Sequence, residues 1–241
     1  MPNYHRPKSL TDKVTHYCPG CGHGILHRMV AEVVDELGLR DKVIAVAPVG
    51  CAVVAYDYWD FDCSEAAHGR ALAVATGIKR VRPENIVFTY QGDGDLAAIG
   101  TAETIHAANR GENLSVIFVN NAVYGMTGGQ MAPTTLLNQK TVTSPLGRDP
   151  KKEGYPLKIL EMLALLNGVF SAERTSLSDP KGAWNTKRAI KEAFVNQIEG
   201  RGFSIVEVLS MCPTYWDKTP QESLTYIDEH MAKYFVPGKL K

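Results

Sequence analysis

Asp93 and Asn121 could together hold a divalent cation, because each supplies a hard oxygen ligand directly after a run of apolar residues. Asp93 follows the apolar run at 86–90, and Asn121 follows the run at 116–119. Mg²⁺ is bound in proteins by a few such oxygens and completes its shell with phosphate oxygens and water. With the backbone carbonyl of Val123 as a third protein ligand, these residues are candidates for a magnesium site that binds a diphosphate.

The segment Gly92-Asp93-Gly94-Asp95 has the composition of a phosphate-binding turn. Its glycines allow backbone N–H groups to come close to a diphosphate, and a helix predicted to start at Leu96 would favour the anion through its free N–H groups and dipole. On its own, Gly-Asp-Gly is usually only a turn in which the aspartate caps a helix. The Asn120-Asn121 pair, one strand–helix–strand unit further along, favours the diphosphate interpretation.

The cysteines are a second group with the chemistry of a metal site. There are five, Cys18, Cys21, Cys51, Cys63 and Cys212, and the odd number argues against a disulfide framework. Two of them share one turn, and two others follow predicted strands, so four thiolates could meet and bind either a [4Fe–4S] cluster or a structural zinc ion. A dithiol redox pair in Cys18-Pro19-Gly20-Cys21 and buried core thiols are the remaining interpretations. Cys63 is interpreted as a structural thiol.

The elements that must position these residues alternate along the chain, which predicts an α/β fold with a doubly wound, mainly parallel sheet. Strands are predicted at 43–47, 86–90, 116–119, 169–172 and 203–209, and helices at 22–37, 68–81, 96–110, 156–166 and 183–198 and in the tail from Pro220. The stretch 122–156, rich in Gly, Pro, Thr and Asn, predicts a long ordered loop with one short helix. Since ligands of such sheets bind beyond the carboxyl ends of the strands, both candidate sites are expected at one edge.

Composition limits the class of protein. The 241 residues are 44% apolar and 22% charged, which is typical of a globular domain, and the formal net charge of zero does not suggest a nucleic-acid surface. No apolar run approaches the roughly 20 residues that span a bilayer, so no membrane association and a cytoplasmic location are expected. We expect one domain over 1–241, with an N-terminal cluster-binding arm at about 1–24 and a C-terminal interface tail at about 213–241.

Taken together, the motifs resemble the β subunit of 2-oxoacid:ferredoxin oxidoreductases, of the type that acts on branched-chain 2-oxoacids or 2-oxoglutarate. The resemblance covers nearly the whole chain, and its specificity lies in the combination. The segments that carry it are Cys18-Pro19-Gly20-Cys21-Gly22-His23-Gly24, Gly50-Cys51, His68-Gly69-Arg70-Ala71, Ala75-Thr76-Gly77, Gly92-Asp93-Gly94-Asp95, Asn120-Asn121, Tyr124-Gly125-Met126-Thr127-Gly128-Gly129-Gln130 and Cys212-Pro213-Thr214.

The resemblance implies a thiamine diphosphate-binding fold and a role for each matching residue. Mg²⁺ would be held by Asp93, Asn121 and Val123, and a [4Fe–4S] cluster by Cys18, Cys21, Cys51 and Cys212. The residues implied to contact thiamine diphosphate are Gly50, Cys51, Ala52, His68, Gly92, Asp93, Gly94, Asp95, Asn121, Gly125, Met126 and Thr127. His68 is the candidate catalytic residue, as a proton donor or oxyanion stabiliser, with packing or capping at a helix start as the alternative. For Met126, an ordinary core position is an equally good interpretation.

The implied reaction is the coenzyme A-dependent oxidative decarboxylation of a 2-oxoacid to acyl-CoA and CO₂, with electrons passing through the cluster to ferredoxin. An α subunit would supply the aminopyrimidine-binding half of the site, accompanied by γ and ferredoxin-like δ subunits, so the chain alone is expected to be inactive. One alternative is a non-redox thiamine diphosphate-dependent decarboxylase or synthase subunit, which would lack the cluster. Another is a zinc-stabilised binding module without catalysis.

Overall fold

A computed structural model of the chain describes residues 5–241, and within them the chain forms a seven-stranded sheet. The strands are β1 (Val43–Pro48), β2 (Asp62–Ala66), β3 (Ile86–Gly92), β4 (Ser115–Asn120), β5 (Val169–Ser176), β6 (Phe203–Leu209) and β7 (Gly238–Lys239). Their order across the sheet is β2-β1-β3-β4-β6-β5-β7, and every neighbouring pair is parallel except β5 and β7. The predicted doubly wound, mainly parallel sheet is therefore confirmed.

Helices cover both faces of the sheet. They are α1 (His23–Glu36), α2 (Ala71–Val81), α3 (Thr101–Asn109), α4 (Pro150–Glu153), α5 (Ile159–Ala164), α6 (Pro180–Ile198), α7 (Pro213–Trp216), α8 (Pro220–Tyr226) and α9 (Ala232–Tyr234). One apolar core joins the sheet to α1, α6 and the C-terminal segment, and a second joins it to α2, α3 and α5. No helix among residues 5–241 combines the length and the apolar character needed to cross a bilayer.

The central strands are buried on both faces, which explains their continuous apolar composition. In β4, Val116 and Phe118 point into one core, while Ile117 and Val119 point into the other. This alternation follows from the two-residue period of a strand. The sheet is thus fixed in register, and the chain leaves each central strand at the same carboxyl edge.

Among the predicted helices that begin at other residues in the structure, two lie beside the candidate site. The helix predicted at 68–81 begins at Ala71, because Gly69 has a φ of +77° and forms a turn. The helix predicted at 96–110 is interrupted: a π-helical turn spans Asp95–Ile99, and α3 starts only after Gly100. A Cβ at Gly100 would lie 2.9 Å from the carbonyl oxygen of Gly69, so the two turns touch through their glycines.

The edge strand β2 was not predicted from the sequence, because it is short and polar, and it carries Cys63. The expected long loop at 122–156 is confirmed, with α4 as its short helix. The tail from Pro220 is helical as predicted, and its buried residues Ile227, Met231 and Phe235 pack on this chain's own core. An interface role for the rest of the tail stays a prediction.

Candidate functional site

The carboxyl ends of β1, β3 and β4 surround a cavity of about 150 Å³, called the diphosphate cavity below. Its lining includes all the residues named from the sequence as cofactor contacts, together with Val123. They come from the turn after β1, the turn before α2, the end of β3 and the loop after β4. The structure therefore brings the whole set together in one place, although which ligand they bind stays a prediction.

Asp93 lies at the floor of this cavity and is 3% exposed. Its Oδ1 accepts a hydrogen bond from the Gly94 backbone N–H at 2.8 Å, and its Oδ2 accepts one from Thr134 Oγ1 at 2.7 Å. Burial raises the pKa of Asp93 to about 7, although these donors act in the opposite direction. A nearby divalent cation would compensate the buried carboxylate, so the site suits a metal ligand.

Thr134 was not identified from the sequence, because it lies in the long loop, 41 residues after Asp93. Arg148 positions this part of the loop. Its guanidinium is buried and donates hydrogen bonds to the carbonyl oxygens of Ala132, Pro133, Thr135, Glu153, Gly154 and Tyr155. A threonine and an arginine in a loop belong to no recognisable motif, so these contacts could not be predicted from the sequence.

The turn after β4 presents Asn121 and Val123 to the same cavity. Asn121 Oδ1 accepts from the Val123 backbone N–H at 3.3 Å, and the Asn121 carbonyl accepts from Trp216 Nε1 at 3.0 Å. Ala122 between them has a φ of +56°, a left-handed conformation that costs about 1 kcal/mol or more for a residue other than glycine. Side-chain oxygen, backbone carbonyl and carboxylate are the donor set that Mg²⁺ prefers, so these residues fit the predicted ion.

A network of buried hydrogen bonds and ion pairs supports the turn after β4. Asn120 Oδ1 accepts from the Ala122 backbone N–H at 3.1 Å, and Asn120 Nδ2 donates to Glu207 Oε1 at 2.7 Å. Arg174 Nε donates to the other oxygen of Glu207 at 2.8 Å, and the remaining Arg174 nitrogens bind Glu161 at 2.9 and 2.7 Å. Burial raises the pKa of Glu207, while the cation of Arg174 opposes this. The sequence does not indicate this network, because its members are far apart in the chain.

Gly94 must be glycine because the ring of Tyr124 covers it. A Cβ at Gly94 would lie 2.5 Å from Tyr124 Cε1. The bare backbone leaves room for an anionic group against the N–H groups of the turn, as phosphate-binding turns require. The helix expected to start at Leu96 begins instead as a π-helical turn at Asp95–Ile99 and is interrupted at Gly100 before α3.

His68 lines the diphosphate cavity and contacts a carboxylate rather than capping a helix. Its Nδ1 lies 2.8 Å from Asp95 Oδ1, while the N-cap residue of α2 is Arg70. Asp95 is buried, and its other contacts are to Gly69 and Gln91. Burial raises the pKa of Asp95, and these hydrogen bonds counteract the effect.

Four of the five cysteines line a second cavity of about 240 Å³, called the thiol cavity below; they are Cys18, Cys21, Cys51 and Cys212. A Cβ on Gly125 would lie 3.2 Å from Cys51 Sγ and 3.7 Å from Cys212 Sγ, so these two sulfurs flank one glycine. Across residues 5–241, no three His, Cys, Asp or Glu side chains gather around a point that could hold a single metal ion. The four thiols instead surround a space, an arrangement that a polynuclear centre fits.

The thiols of this cavity influence one another's ionisation. Burial raises the pKa of Cys51 to about 11 and that of Cys212 to about 12, and in both cases the neighbouring Cys21 adds to the increase. Burial also raises the pKa of Cys21, with Cys18 contributing. Because metal ligands are thiolates, a cationic centre bound here would displace these protons.

Cys63 lies on β2 and is not among the residues that line either cavity. Burial raises the pKa of its thiol to about 12, with Asp62 adding to the effect, so it is a poor nucleophile at neutral pH. Its interpretation as a structural thiol stays a prediction.

The two cavities share a wall. His23, Cys51, Asn121, Gly125 and Met126 line both. His23 is buried in this wall, where its Nδ1 lies 2.6 Å from the hydroxyl of Tyr90, and burial lowers its pKa to about 4. A buried imidazole therefore lines both cavities.

Comparison with known proteins places this fold and these motifs in context. The family described as thiamine pyrophosphate enzyme, C-terminal TPP binding domain, matches residues 49–208. The chain is 52% identical over 232 residues to ketoisovalerate oxidoreductase subunit VorA of Methanothermobacter thermautotrophicus, a match that covers 96% of this chain and 49% of that protein. It is 38% identical over 219 residues to 2-oxoglutarate synthase subunit KorB of Archaeoglobus fulgidus, covering 91% of this chain and 78% of that protein. The chain thus spans about half the length of the VorA relative.

The chain is also similar to solved structures. A 2-oxoglutarate:ferredoxin oxidoreductase from Magnetococcus marinus, with 2-oxoglutarate, coenzyme A and succinyl-CoA bound, superposes with a TM-score of 0.76 at 29% identity, covering 89% of this chain and 70% of that one. A thiamine diphosphate-dependent 4-hydroxybenzoylformate decarboxylase from Rhodococcus jostii RHA1 superposes with a TM-score of 0.51 at 18% identity. The match covers 88% of this chain and 36% of that one, and it shows a shared fold alone. The predicted thiamine diphosphate-binding fold is confirmed.

Proposed function

Since this chain belongs to the thiamine pyrophosphate-binding subunits of 2-oxoacid:ferredoxin oxidoreductases, we propose that it is the β subunit of an enzyme that oxidatively decarboxylates a 2-oxoacid. The products are acyl-CoA and CO₂, and two electrons leave one at a time to ferredoxin. The 52% identity to a ketoisovalerate oxidoreductase subunit favours a branched-chain 2-oxoacid as substrate over 2-oxoglutarate, whose named subunit is 38% identical.

The observation that carries the proposal is the shared wall between the diphosphate cavity and the thiol cavity, formed by residues that include Cys51, Gly125 and Met126. A two-electron oxidation with a one-electron acceptor needs a redox centre directly beside the reacting cofactor. A four-thiol site adjoining a diphosphate site meets this requirement. A non-redox decarboxylase or synthase would have no use for the second cavity.

Each cavity contributes different groups. In the diphosphate cavity Asp93, Asn121 and the Val123 carbonyl hold Mg²⁺, and the turn at Gly94 binds the phosphates. When bound, thiamine diphosphate supplies the nucleophilic carbon and the electron sink on which the decarboxylation depends. Met126, whose side chain is half exposed at the cavity, supports the cofactor, and His68 transfers protons at the substrate.

In the thiol cavity Cys18, Cys21, Cys51 and Cys212 hold a [4Fe–4S] cluster. Zinc is the competing occupant, because four thiolates also suit zinc. The relatives are named as ferredoxin oxidoreductases, which supports iron, since zinc has no redox chemistry.

The chain works with partners in this proposal. An α subunit supplies the aminopyrimidine-binding half of the site, γ and ferredoxin-like δ subunits complete the assembly, and coenzyme A is the co-substrate. The side chains of Val49, Met126 and Tyr215 are partly exposed beside the two cavities, which is consistent with a covering subunit. A cytoplasmic location is also part of the proposal and is tested by cell fractionation.

The proposal is tested on the co-expressed complex, purified anaerobically. We expect one thiamine diphosphate per copy of this chain and four irons beyond those of the ferredoxin-like δ subunit, and a broad visible absorbance that a branched-chain 2-oxoacid bleaches when coenzyme A is present. Cys212→Ser should lose these four irons while it retains thiamine diphosphate, and Cys63→Ser is the matched control that should keep both. A colourless complex that still decarboxylates 2-oxoacids would support the non-redox alternative, and zinc without thiamine diphosphate would support the binding module.

A further inference from the structure

Asp95 is held by this chain's own groups on both of its carboxylate oxygens. Oδ1 accepts from the Gly69 backbone N–H at 2.5 Å and lies 2.8 Å from His68 Nδ1, while Oδ2 accepts from Gln91 Nε2 at 2.7 Å. The side chain of Asp95 is 1% exposed. A negatively charged group so enclosed is a poor partner for a diphosphate, which carries the same sign of charge.

His68, by contrast, is bonded to Asp95 on one side and faces open space on the other. Its side chain is 41% exposed and lines the diphosphate cavity, and among residues 5–241 its Nε2 has no hydrogen-bond partner. Both oxygens of Asp95 accept hydrogen bonds from N–H donors, Oδ1 from Gly69 and Oδ2 from Gln91, so we assign Nδ1 of His68 as a further donor to Oδ1. The ring is thereby fixed with the proton on Nδ1 and with Nε2 available to a ligand, as in other carboxylate–histidine pairs.

The turn that carries His68 is locked against the π-helical turn that carries Asp95. Gly69 has a φ of +77°, and a Cβ there would lie 2.7 Å from the backbone carbon of Ile99. Arg70 Nη1 donates to the carbonyls of Gly69 at 3.2 Å and Ile99 at 3.3 Å. The separation between the imidazole and the carboxylate is therefore set by two interlocked backbone turns, which is how a catalytic pair is kept in place.

We propose that Asp95 is a positioning residue that orients His68 for proton transfer to the keto oxygen of the 2-oxoacid. This inference rests on the proposed function. Nε2 of His68 would first take a proton from solvent water, so that the ring carries one proton on each nitrogen, and would pass it to the keto oxygen as negative charge develops there. The proton would return through Nε2 to water when the carbonyl of the acyl product forms again. No net proton is gained or lost by the pair, and Asp95 does not touch the substrate.

A double-mutant cycle in the intact complex tests the inference. His68→Asn keeps an amide N–H near the position of Nδ1, so the bond to Asp95 can persist while the group at Nε2 is removed. Asp95→Asn is isosteric, and Gln91, whose buried Oε1 has no partner, can turn its amide to accept from the new Nδ2. Glu112→Gln is the matched control, because Glu112 is a buried carboxylate that pairs with Arg80 and Arg110 and lies outside the cavity.

We expect His68→Asn to lower kcat by about 100-fold and Asp95→Asn by about 30-fold, with KM for the 2-oxoacid unchanged within about threefold. The double variant should be no slower than His68→Asn alone, because Asp95 acts only through His68. Thiamine diphosphate and iron contents should equal those of the wild type in every variant, and Glu112→Gln should keep wild-type kcat. Losses that multiply in the double variant, or cofactor loss in Asp95→Asn, would overturn the inference in favour of a structural or cofactor-binding role.

A second readout does not depend on turnover. Long-range ¹H–¹⁵N spectra of the full chain, labelled with ring-¹⁵N histidine, should show that neutral His68 carries its proton on Nδ1. The same spectra of Asp95→Asn should show a mixture of the two His68 tautomers. The His68 signal is assigned as the one that is absent in His68→Asn. An unchanged tautomer in Asp95→Asn would contradict the positioning role. If the complex oxidises 2-oxoacids but His68→Asn does so equally well, the inference fails and the proposed function stands. If the wild-type complex oxidises no 2-oxoacid, both fail.

Discussion

At the scale of single residues, the ligands that could be predicted from the sequence depend on neighbouring residues that could not be predicted from it. Asp93 could be identified because it lies between glycines after an apolar run, whereas its partner Thr134 lies in a long loop. Glu207 and Trp216 support the Asn120–Asn121 turn from elsewhere in the chain. Direct ligands have characteristic local patterns, but the residues that orient them are found only once the fold brings distant segments together.

Thr134→Val tests the first of these contacts. The valine keeps the volume but removes the hydroxyl that donates to Asp93 Oδ2, so a buried carboxylate oxygen loses a hydrogen bond worth about 1 to 3 kcal/mol. We expect the complex to bind Mg²⁺ and thiamine diphosphate about tenfold or more weakly, measured by titration of the apo complex. Thr76→Val is the control, because this buried threonine donates to the Leu72 carbonyl in α2, away from the site. Equal affinities in the two variants would contradict a role for Thr134.

His27 gives a prediction for pH. It is 1% exposed, and burial lowers its pKa well below 6.5, so the folded chain holds this imidazole neutral. Because the unfolded chain takes up a proton there below about pH 6.5, the free energy of unfolding should fall as the pH drops, by up to about 1.4 kcal/mol per pH unit from this residue. Urea unfolding at pH 7.5 and 5.5 measures the change. His27→Gln should reduce the slope and the exposed His106→Gln should not; equal slopes in all three proteins would show that His27 is not the cause.

At the scale of elements, the apolar strands could be predicted well and the turns at their ends could not. Strand β6 was predicted with its observed bounds, whereas β5 extends four residues further than expected, to Ser176. The helix after Asp95 was predicted as continuous because helical periodicity does not reveal that Gly100 packs against Gly69. Tertiary contacts of this kind decide where helices begin, and here they decide the position of His68.

The loop at 122–156 behaves as one element because Arg148 binds carbonyl oxygens from both of its halves. Arg148→Ala would leave these buried carbonyls without donors, and we expect it to destabilise the loop by about 3 kcal/mol or more. Limited proteolysis should then cleave between residues 132 and 155, and thiamine diphosphate should bind about tenfold or more weakly because Thr134 no longer reaches Asp93. Arg82→Ala is the control, since Arg82 is exposed and pairs with Glu84 on the surface. Resistance to protease in Arg148→Ala would show that the loop is held by other contacts.

At the scale of the whole molecule, one buried arginine links the C-terminal tail to the metal-binding turn. Arg174 donates to the carbonyl of Val236 at 3.2 Å and stacks over the ring of Phe235 at 5.4 Å, and it also pairs with Glu207. Glu207 in turn binds Asn120, which precedes the proposed ligand Asn121. The tail and the site are therefore connected through a chain of charged and hydrogen-bonded groups.

Removing Arg174 should lower the free energy of unfolding. In Arg174→Met the carboxylate of Glu207 stays buried without its cation, which typically costs about 3 to 5 kcal/mol, so unfolding should need much less urea. The double variant Arg174→Met/Glu207→Gln should recover part of the lost stability. The buried charge is then removed, while the new amide can still form a hydrogen bond with Asn120. Arg188→Met is the control, as Arg188 forms partly exposed ion pairs with Glu173 and Glu192. A double variant as unstable as Arg174→Met would show that packing of the arginine, and not the unpaired charge, stabilises the connection between the tail and the turn that carries Asn121.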